Sequence, residues 1–398
     1  MSIPSSYGQT SIPVEKRLPI ETKIKKFSRQ DPLIINALST LSPDLEVLIA
    51  QDTAWQLKDV HEFTHRIKRL KTLDVGSTSP ELPSNHLTDV LKANQLIKNL
   101  IVPDSELDSS GLKSLSPLLT ESLNIRGCDN LSAEDVINFL SKSSQIKELR
   151  LNRSIATSEV ADAIAKYCPQ LEFLDFSEAE GISEISYLRI ARNCLNLKEI
   201  YFQCSENFSD VVLMEFLEKC PQLTKINVNY TDVTDVSLHK INQLNRAIHS
   251  ISLTKCKNIT RNGLEALLKV SKDSLEILDM EGIEMDLWMI DLLRTYHPPL
   301  TCFNLMSMKR YGSLPLARVL LEIIEQLSYP ISRIQQINIK NFSYVDYDAL
   351  HKLREYCPTI KEIYATRQQI WEFAKSQGLE ETLFQKKFEE DFKVKILY

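Results

Sequence analysis

One six-residue pattern, apolar-x-x-apolar-x-apolar, returns along almost the whole chain, and its spacing limits the fold more than any other feature. It reads LEVLIA (45–50), LKTLDV (70–75), IKNLIV (97–102), a looser TESLNI (120–125), IKELRL (146–151), LEFLDF (171–176), LKEIYF (197–202), LTKINV (223–228), IHSISL (248–253), LEILDM (275–280), LTCFNL (300–305), IQQINI (334–339) and IKEIYA (360–365). The second anchors of these thirteen copies are 23–27 residues apart, except for one step of 34 between Phe303 and Ile337. Two unrelated globular domains would have no reason to keep such a period. Each copy alternates buried and outward positions, as a short strand with one buried face does.

The later part of each unit has helical periodicity. SAEDVINFLSKS (132–143), SEVADAIAKYC (158–168), SDVVLMEFLEKC (209–220) and TRNGLEALLKVS (260–271) each open on Ser or Thr and then place apolar residues at helical spacing. A strand and a helix every 26 residues is the signature of a leucine-rich repeat. The expected fold is therefore α/β. It is a leucine-rich-repeat solenoid, a horseshoe of about thirteen repeats, with a parallel sheet on the concave face and helices on the convex face.

The cysteines fit this frame. Cys168, Cys194, Cys220 and Cys357 stand where a helix ends and the chain turns into the next strand, and Cys128 and Cys256 follow a strand. At such turns a thiol acts as a compact apolar group. The chain has 8 cysteines but no C-x-x-C pair, so a structural zinc site is not indicated. In ISLTKCKNITRNGLEALL and CPQLTKIN the chain resembles the cysteine-containing class of leucine-rich repeat, and the resemblance covers about residues 45–365. That class is abundant in F-box/leucine-rich-repeat proteins, the substrate receptors of cullin-RING ubiquitin ligases. The resemblance implies a binding module that presents targets to a ligase supplied by other subunits, and a ubiquitin-ligase adaptor among its partners.

The ends depart from the repeat. RLPIETKIKKF (17–27) carries Leu18, Pro19 and Glu21 in the order of an F-box opening, but the rest of that pattern is absent and the first repeat begins at Leu45. Residues 1–30 read as a disordered or irregular lead with this F-box-like trace at 17–27, and 31–44 as an N-terminal helical cap. Residues 45–366 read as the solenoid, and 367–398 as a C-terminal helical cap that covers its apolar end. The long step maps to an added loop or a longer helix within 310–333.

Catalytic signals are sparse. The chain has 9 glycines and no G-x-G-x-x-G, P-loop or G-x-S-x-G. Its histidines, His61, His65 and His239 among them, read as solvated positions on predicted helices. No enzyme activity and no cofactor is expected. A net charge of −6 gives no reason to expect nucleic acid as a partner. No apolar run is long enough to span a membrane, and the N-terminus lacks the apolar stretch of a secretory signal, so a reducing cytoplasmic location is expected.

What the repeat leaves exposed is the outward face of the strands. The central outward positions include Asn124, Arg150, Asp175, Tyr201, Asn227, Ser252, Asp279 and Asn304, and neighbouring rows add Phe173, Lys225, Ile277, Gln203, Asn229 and Glu281. Polar residues with isolated Tyr, Phe and Arg suit a protein partner better than a small molecule. The expected binding stripe centres on Arg150, Asp175, Tyr201 and Asn227, and substitutions there are expected to leave the fold nearly unchanged. Two function classes follow. One is a non-catalytic recognition module linked to a ubiquitin ligase. The other is a structural or regulatory scaffold, or a pathogen effector, without that link.

Overall fold

Three-residue strands recur because each copy offers one buried residue between two outward ones, and all of them pair in parallel. The computed structural model describes residues 45–49, 67–75, 84–151, 155–179, 181–283, 288–304, 335–338 and 358–376, together with strands at Glu21–Lys23 and Lys395–Leu397 and a few single positions. The chain forms two compact units, residues 1–151 and 152–398.

The first unit carries β1 (Glu21–Lys23), β2 (Val47–Ile49), β3 (Thr72–Asp74), β4 (Asn99–Ile101), β5 (Ser122–Asn124) and β6 (Glu148–Arg150). Each pairs in parallel with the next, with Leu48, Leu73, Leu100, Leu123 and Leu149 in one line. The second unit carries β7 (Phe173–Asp175), β8 (Glu199–Tyr201), β9 (Lys225–Asn227), β10 (Ser250–Ser252), β11 (Ile277–Asp279), β12 (Cys302–Asn304), β13 (Gln336–Asn338), β14 (Glu362–Tyr364) and β15 (Lys395–Leu397). Here the line runs Leu174, Ile200, Ile226, Ile251, Leu278, Phe303, Ile337, Ile363, Ile396. Parallel strands joined through helices in an open sheet make each unit a stretch of α/β leucine-rich-repeat solenoid.

All thirteen strands read from the sequence are present, and β1 and β15 are additional. Both miss part of the anchor frame. Thr22 holds the central place of β1, and Lys393 stands where β15 should have its first apolar anchor. The sequence reading gives 367–398 to helix; Arg367–Ser376 is helical, and Lys395–Leu397 is a strand. The proposed cap at 31–44 lies outside the described residues, and so does the segment 310–333 expected to hold the added loop, apart from Arg333.

The helices begin where small polar residues can accept backbone N–H groups. In the helix Ala133–Leu140, Ser132 and Asp135 form a reciprocal capping box. Thr157, Ser183, Thr234 and Thr260 cap Ser158–Tyr167, Glu184–Asn193, Asp235–Gln243 and Arg261–Ser271. Successive helices are also tied start to start: Thr234 donates to Asp210 at 2.6 Å, and Thr260 to Asp235 at 2.5 Å. Gly263 is a close-approach glycine, because a Cβ there would run into Asp235.

The core lies between strands and helices. Every second anchor from Leu73 to Leu278 is almost wholly buried, each contributing about 1.5–3 kcal/mol by leaving water. In the second unit, Phe202, Phe208, Phe216 and Tyr187 add an interior aromatic cluster, with Phe202 and Phe208 stacked at 4.8 Å. The buried thiols tie one turn to the next. Cys194 Sγ approaches the Cys168 carbonyl at 3.5 Å, and Cys220 Sγ approaches that of Cys194 at 3.5 Å.

Candidate protein-binding face

In four strands the last residue helps to set how the chain leaves the sheet. Asn124, Asp175, Asn227 and Asp279 each hold a side-chain oxygen against the backbone N–H two residues on, at 3.2, 2.9, 3.2 and 3.3 Å. This is an Asx turn. The residue after that N–H then turns left-handed at Glu178 (φ 63°), with Cys204 (φ 58°), Tyr230 (φ 57°) and Lys255 (φ 59°) at the equivalent place in the following coils. Their N–H groups donate to Gln203, Asn229, Thr254 and Glu281, extending the ladder beyond the strands. Asx residues at this position thus shape the turn as well as facing outward. The expectation that all substitutions here are neutral for stability does not fit this geometry.

On the outward face of the second unit, Phe173 and Tyr201 stack at 5.0 Å across β7 and β8. The Tyr201 hydroxyl donates to Glu199 at 3.5 Å, and Glu199 pairs with Lys225 at 2.7 Å. That hydrogen bond holds the Lys225 ammonium above its usual pKa. Further along, Ser252 stands between Asn229 at 2.7 Å and Asp279 at 3.0 Å, and the Thr254 N–H donates to the same Asn229 oxygen at 2.7 Å. Ile277 is exposed beside them, at 38%.

The structure divides the sequence-selected residues. Asn124 and Arg150 belong to the first unit, where Arg150 lies 3.7 Å from Glu148. The others belong to the second unit. Phe173, Tyr201, Gln203, Lys225, Asn227, Ser252 and Asp279 are partly or fully exposed. Asp175 and Asn229 are 8% and 7% exposed, so they support the surface more than they form it. Asn304 has the outward register of β12, paired with Asp279. Glu199, which the selection passed over, shares the register of Phe173, Lys225 and Ile277. Its signal was available in the row one position before the second anchor.

Burial favours the neutral, protonated form of the thiols at neutral pH. Burial pushes Cys168 and Cys220 up to about 12, and Cys194 higher still. Among the described residues no group of three or more His, Cys, Asp or Glu side chains could hold a metal ion. One motif was overlooked in the sequence reading. His61-Glu62-Phe63-Thr64-His65 has the H-E-x-x-H spacing of zinc proteases. It lies outside the described residues, and the five-residue match by itself supplies two ligands of the three or four such a site needs. No helix among the described residues is long and apolar enough to cross a membrane.

No family model matches the chain. Among solved structures it is similar to a chain in the crystal structure of the Rad7 and Elc1 complex in yeast, with a TM-score of 0.58. The identity is 18%, and the match covers 85% of this chain and 84% of that one. At that identity the likeness speaks to fold, and it agrees with the leucine-rich-repeat architecture described above.

Proposed function

We propose that this protein is a non-catalytic recognition module that binds a protein partner on the outward sheet face of its second unit. The observation that carries the reading is the Phe173–Tyr201 stack, partly exposed in a polar surface and held beside the Glu199–Lys225 ion pair. A stacked aromatic pair keeps apolar area on the surface in a fixed shape, at little conformational cost when a partner arrives. Rigid strands beneath it hold the patch ready.

The finer reading is a substrate receptor of a ubiquitin ligase. Two observations support it: the resemblance to the repeats of F-box/leucine-rich-repeat receptors, and the fold likeness to a chain from a two-protein complex, Rad7 with Elc1. Affinity purification of the full chain, with mass spectrometry of the bound proteins, tests it. Ligase adaptor or cullin subunits lost on deletion of residues 1–30, together with target proteins lost in Tyr201→Ala, are the expected result. Target proteins without any ligase subunit would leave the recognition role and remove the ligase link.

A further inference from the structure

Consecutive helices of the second unit, Ser158–Tyr167, Glu184–Asn193, Asp210–Lys219, Asp235–Gln243 and Arg261–Ser271, turn their second and fifth residues away from the core. Each packs against the next. In the outer two helices those places hold Glu159 with Asp162, and Asn262 with Glu265. In the middle three they hold Ile185 with Leu188, Val211 with Met214, and Val236 with His239. Ile185, Val211 and Val236 are 61%, 51% and 53% exposed, and Leu188 and Met214 are half-buried. A lone exposed aliphatic is ordinary, but the same place held by aliphatics on three adjoining coils makes one band. Hydrogen bonds between the helix starts fix its spacing: Ser209 donates to Glu184 at 3.3 Å, and Thr234 to Asp210 at 2.6 Å.

The two long borders of the band differ in charge. On the side towards the helix ends the charges cancel in pairs between coils: Arg192 with Glu215 at 2.7 Å, Lys240 with Glu218 at 2.5 Å, and Arg189 with Asp162. Lys219 stands at the far end of its helix. The side towards the helix starts is acidic. Glu184, Asp210 and Asp235 open the three helices, Glu206 lies in the loop before the second, and Asp232 bridges to Ser209 at its start. Among the described residues none of these five carboxylates is in an ion pair. Three helix starts contribute about half a positive charge each, which five carboxylates outweigh. Lys257 and Arg261 bring positive charge back at the next helix.

We infer that this band is a second docking surface, separate from the sheet face, and that it takes an amphipathic helix of a partner protein with lysine or arginine along the flank that faces the helix starts. Packed helices lie about 8–10 Å apart, so the band is about 16–20 Å long and about one helical turn tall. A single helix of about 12 residues laid across the three covers that length, and apolar residues seven apart rise about 10 Å, one coil per step. Its apolar area is on the order of a few hundred Å², against about 800 Å² per partner in a stable dimer, so a second copy of this chain is a poor fit. An extended strand would find no sheet edge here to pair with. The acidic border sets the sign of the partner's flank.

The test uses the full chain and a labelled synthetic helix of about 14 residues, with leucine along one stripe and lysine along one flank, read by fluorescence anisotropy. The same helix with a glutamate flank is the control and should bind at least tenfold more weakly. Ile185→Ser with Val211→Ser should weaken the lysine helix at least tenfold with melting temperature held, because both side chains are exposed. Glu206→Gln with Asp232→Asn should remove most of the preference for lysine. Phe173→Ala with Tyr201→Ala should leave this binding unchanged, so the sheet-face reading and this one fail separately. Equal affinity for the two flanks, full binding in the Ile185→Ser and Val211→Ser variant, or no binding by either helix overturns the inference. So does loss of binding in the sheet variant, which would put the helix on the sheet. A dimer seen by sedimentation equilibrium and lost in the Ile185→Ser and Val211→Ser variant would make the band a self-contact, and overturns it as well.

Discussion

Arg246 completes for Cys220 what the cysteines do for one another. Cys194 Sγ reaches the carbonyls of Cys168 and Ile164, and Cys220 Sγ reaches those of Cys194 and Ala191. At the next turn the cysteine's place, three residues before the strand's first anchor Ile248, is taken by Asn245 in the left-handed region (φ 49°). The Arg246 guanidinium then donates to the carbonyls of Cys220 and Leu217, both at 2.8 Å. It also sits at the C-terminal end of the helix Asp210–Lys219, where positive charge is favourable. Arg246→Ala should lower stability by about 1–3 kcal/mol, since it removes a charged donor from both carbonyls and leaves Cys220 with the Leu223 N–H alone. Urea unfolding measures it; an unchanged midpoint would remove this role.

The thiols give the fold a dependence on alkaline pH. Burial raises Cys168 and Cys220 from 9.0 to about 12. A raised acid favours its neutral form in the folded state. The stability it contributes is fully present below the unfolded value of 9.0 and is lost as pH rises towards about 12. The urea midpoint should hold from pH 7 to pH 8.5 and fall above pH 9, and it should fall less steeply in a variant with Cys168, Cys194 and Cys220 all changed to Ala. Native-state alkylation of the three should be slow and become fast on unfolding. Cys194→Ser should cost about 1–3 kcal/mol, because a more polar hydroxyl replaces the thiol in an apolar turn.

The Asx turns separate folding from binding. Asp175→Asn retains an oxygen for the Ser177 N–H and should change stability by less than about 0.5 kcal/mol. Asp175→Ala removes it and should cost about 1 kcal/mol. Equal effects of the two substitutions on melting temperature would mean that the 2.9 Å contact does not hold the turn.

How much of this was readable in the sequence depends on what each feature requires. The strand line was, because the middle anchor never drifts: Leu174, Ile200, Ile226, Ile251 and Leu278 stay in phase through every pairing. β1 and β15 were hidden because Thr22 and Lys393 break the apolar frame. Outward positions were legible one strand at a time. The stacking of Phe173 on Tyr201 was not, because the two hold different positions on adjacent strands and meet on a diagonal. The turn-forming role of Asp175 and Asn227 had a signal, Asn or Asp recurring at one position of the repeat, but it coincided with the outward row and was read as surface.

The H-E-x-x-H spacing at His61–His65 calls for a direct check of the non-catalytic reading. The purified chain should carry no stoichiometric zinc, by mass spectrometry under native conditions and by elemental analysis. Zinc at one equivalent, lost in both His61→Ala and His65→Ala, would make this segment a metal site and reopen the question of activity.

The most direct test of the recognition face is a comparison of two double variants, against a partner protein identified by affinity purification and then purified. Phe173→Ala with Tyr201→Ala removes the stacked pair on the sheet. Lys166→Glu with Glu218→Lys reverses charge on the helices, breaking the Glu218–Lys240 pair. Partner affinity and melting temperature are measured for each. The account predicts that the aromatic pair weakens binding at least tenfold, about 1.4 kcal/mol or more, with melting temperature nearly held, and that the helix pair leaves affinity within about twofold. Loss of binding in the helix variant with full binding in the aromatic variant would contradict it, and would place the functional surface on the helices.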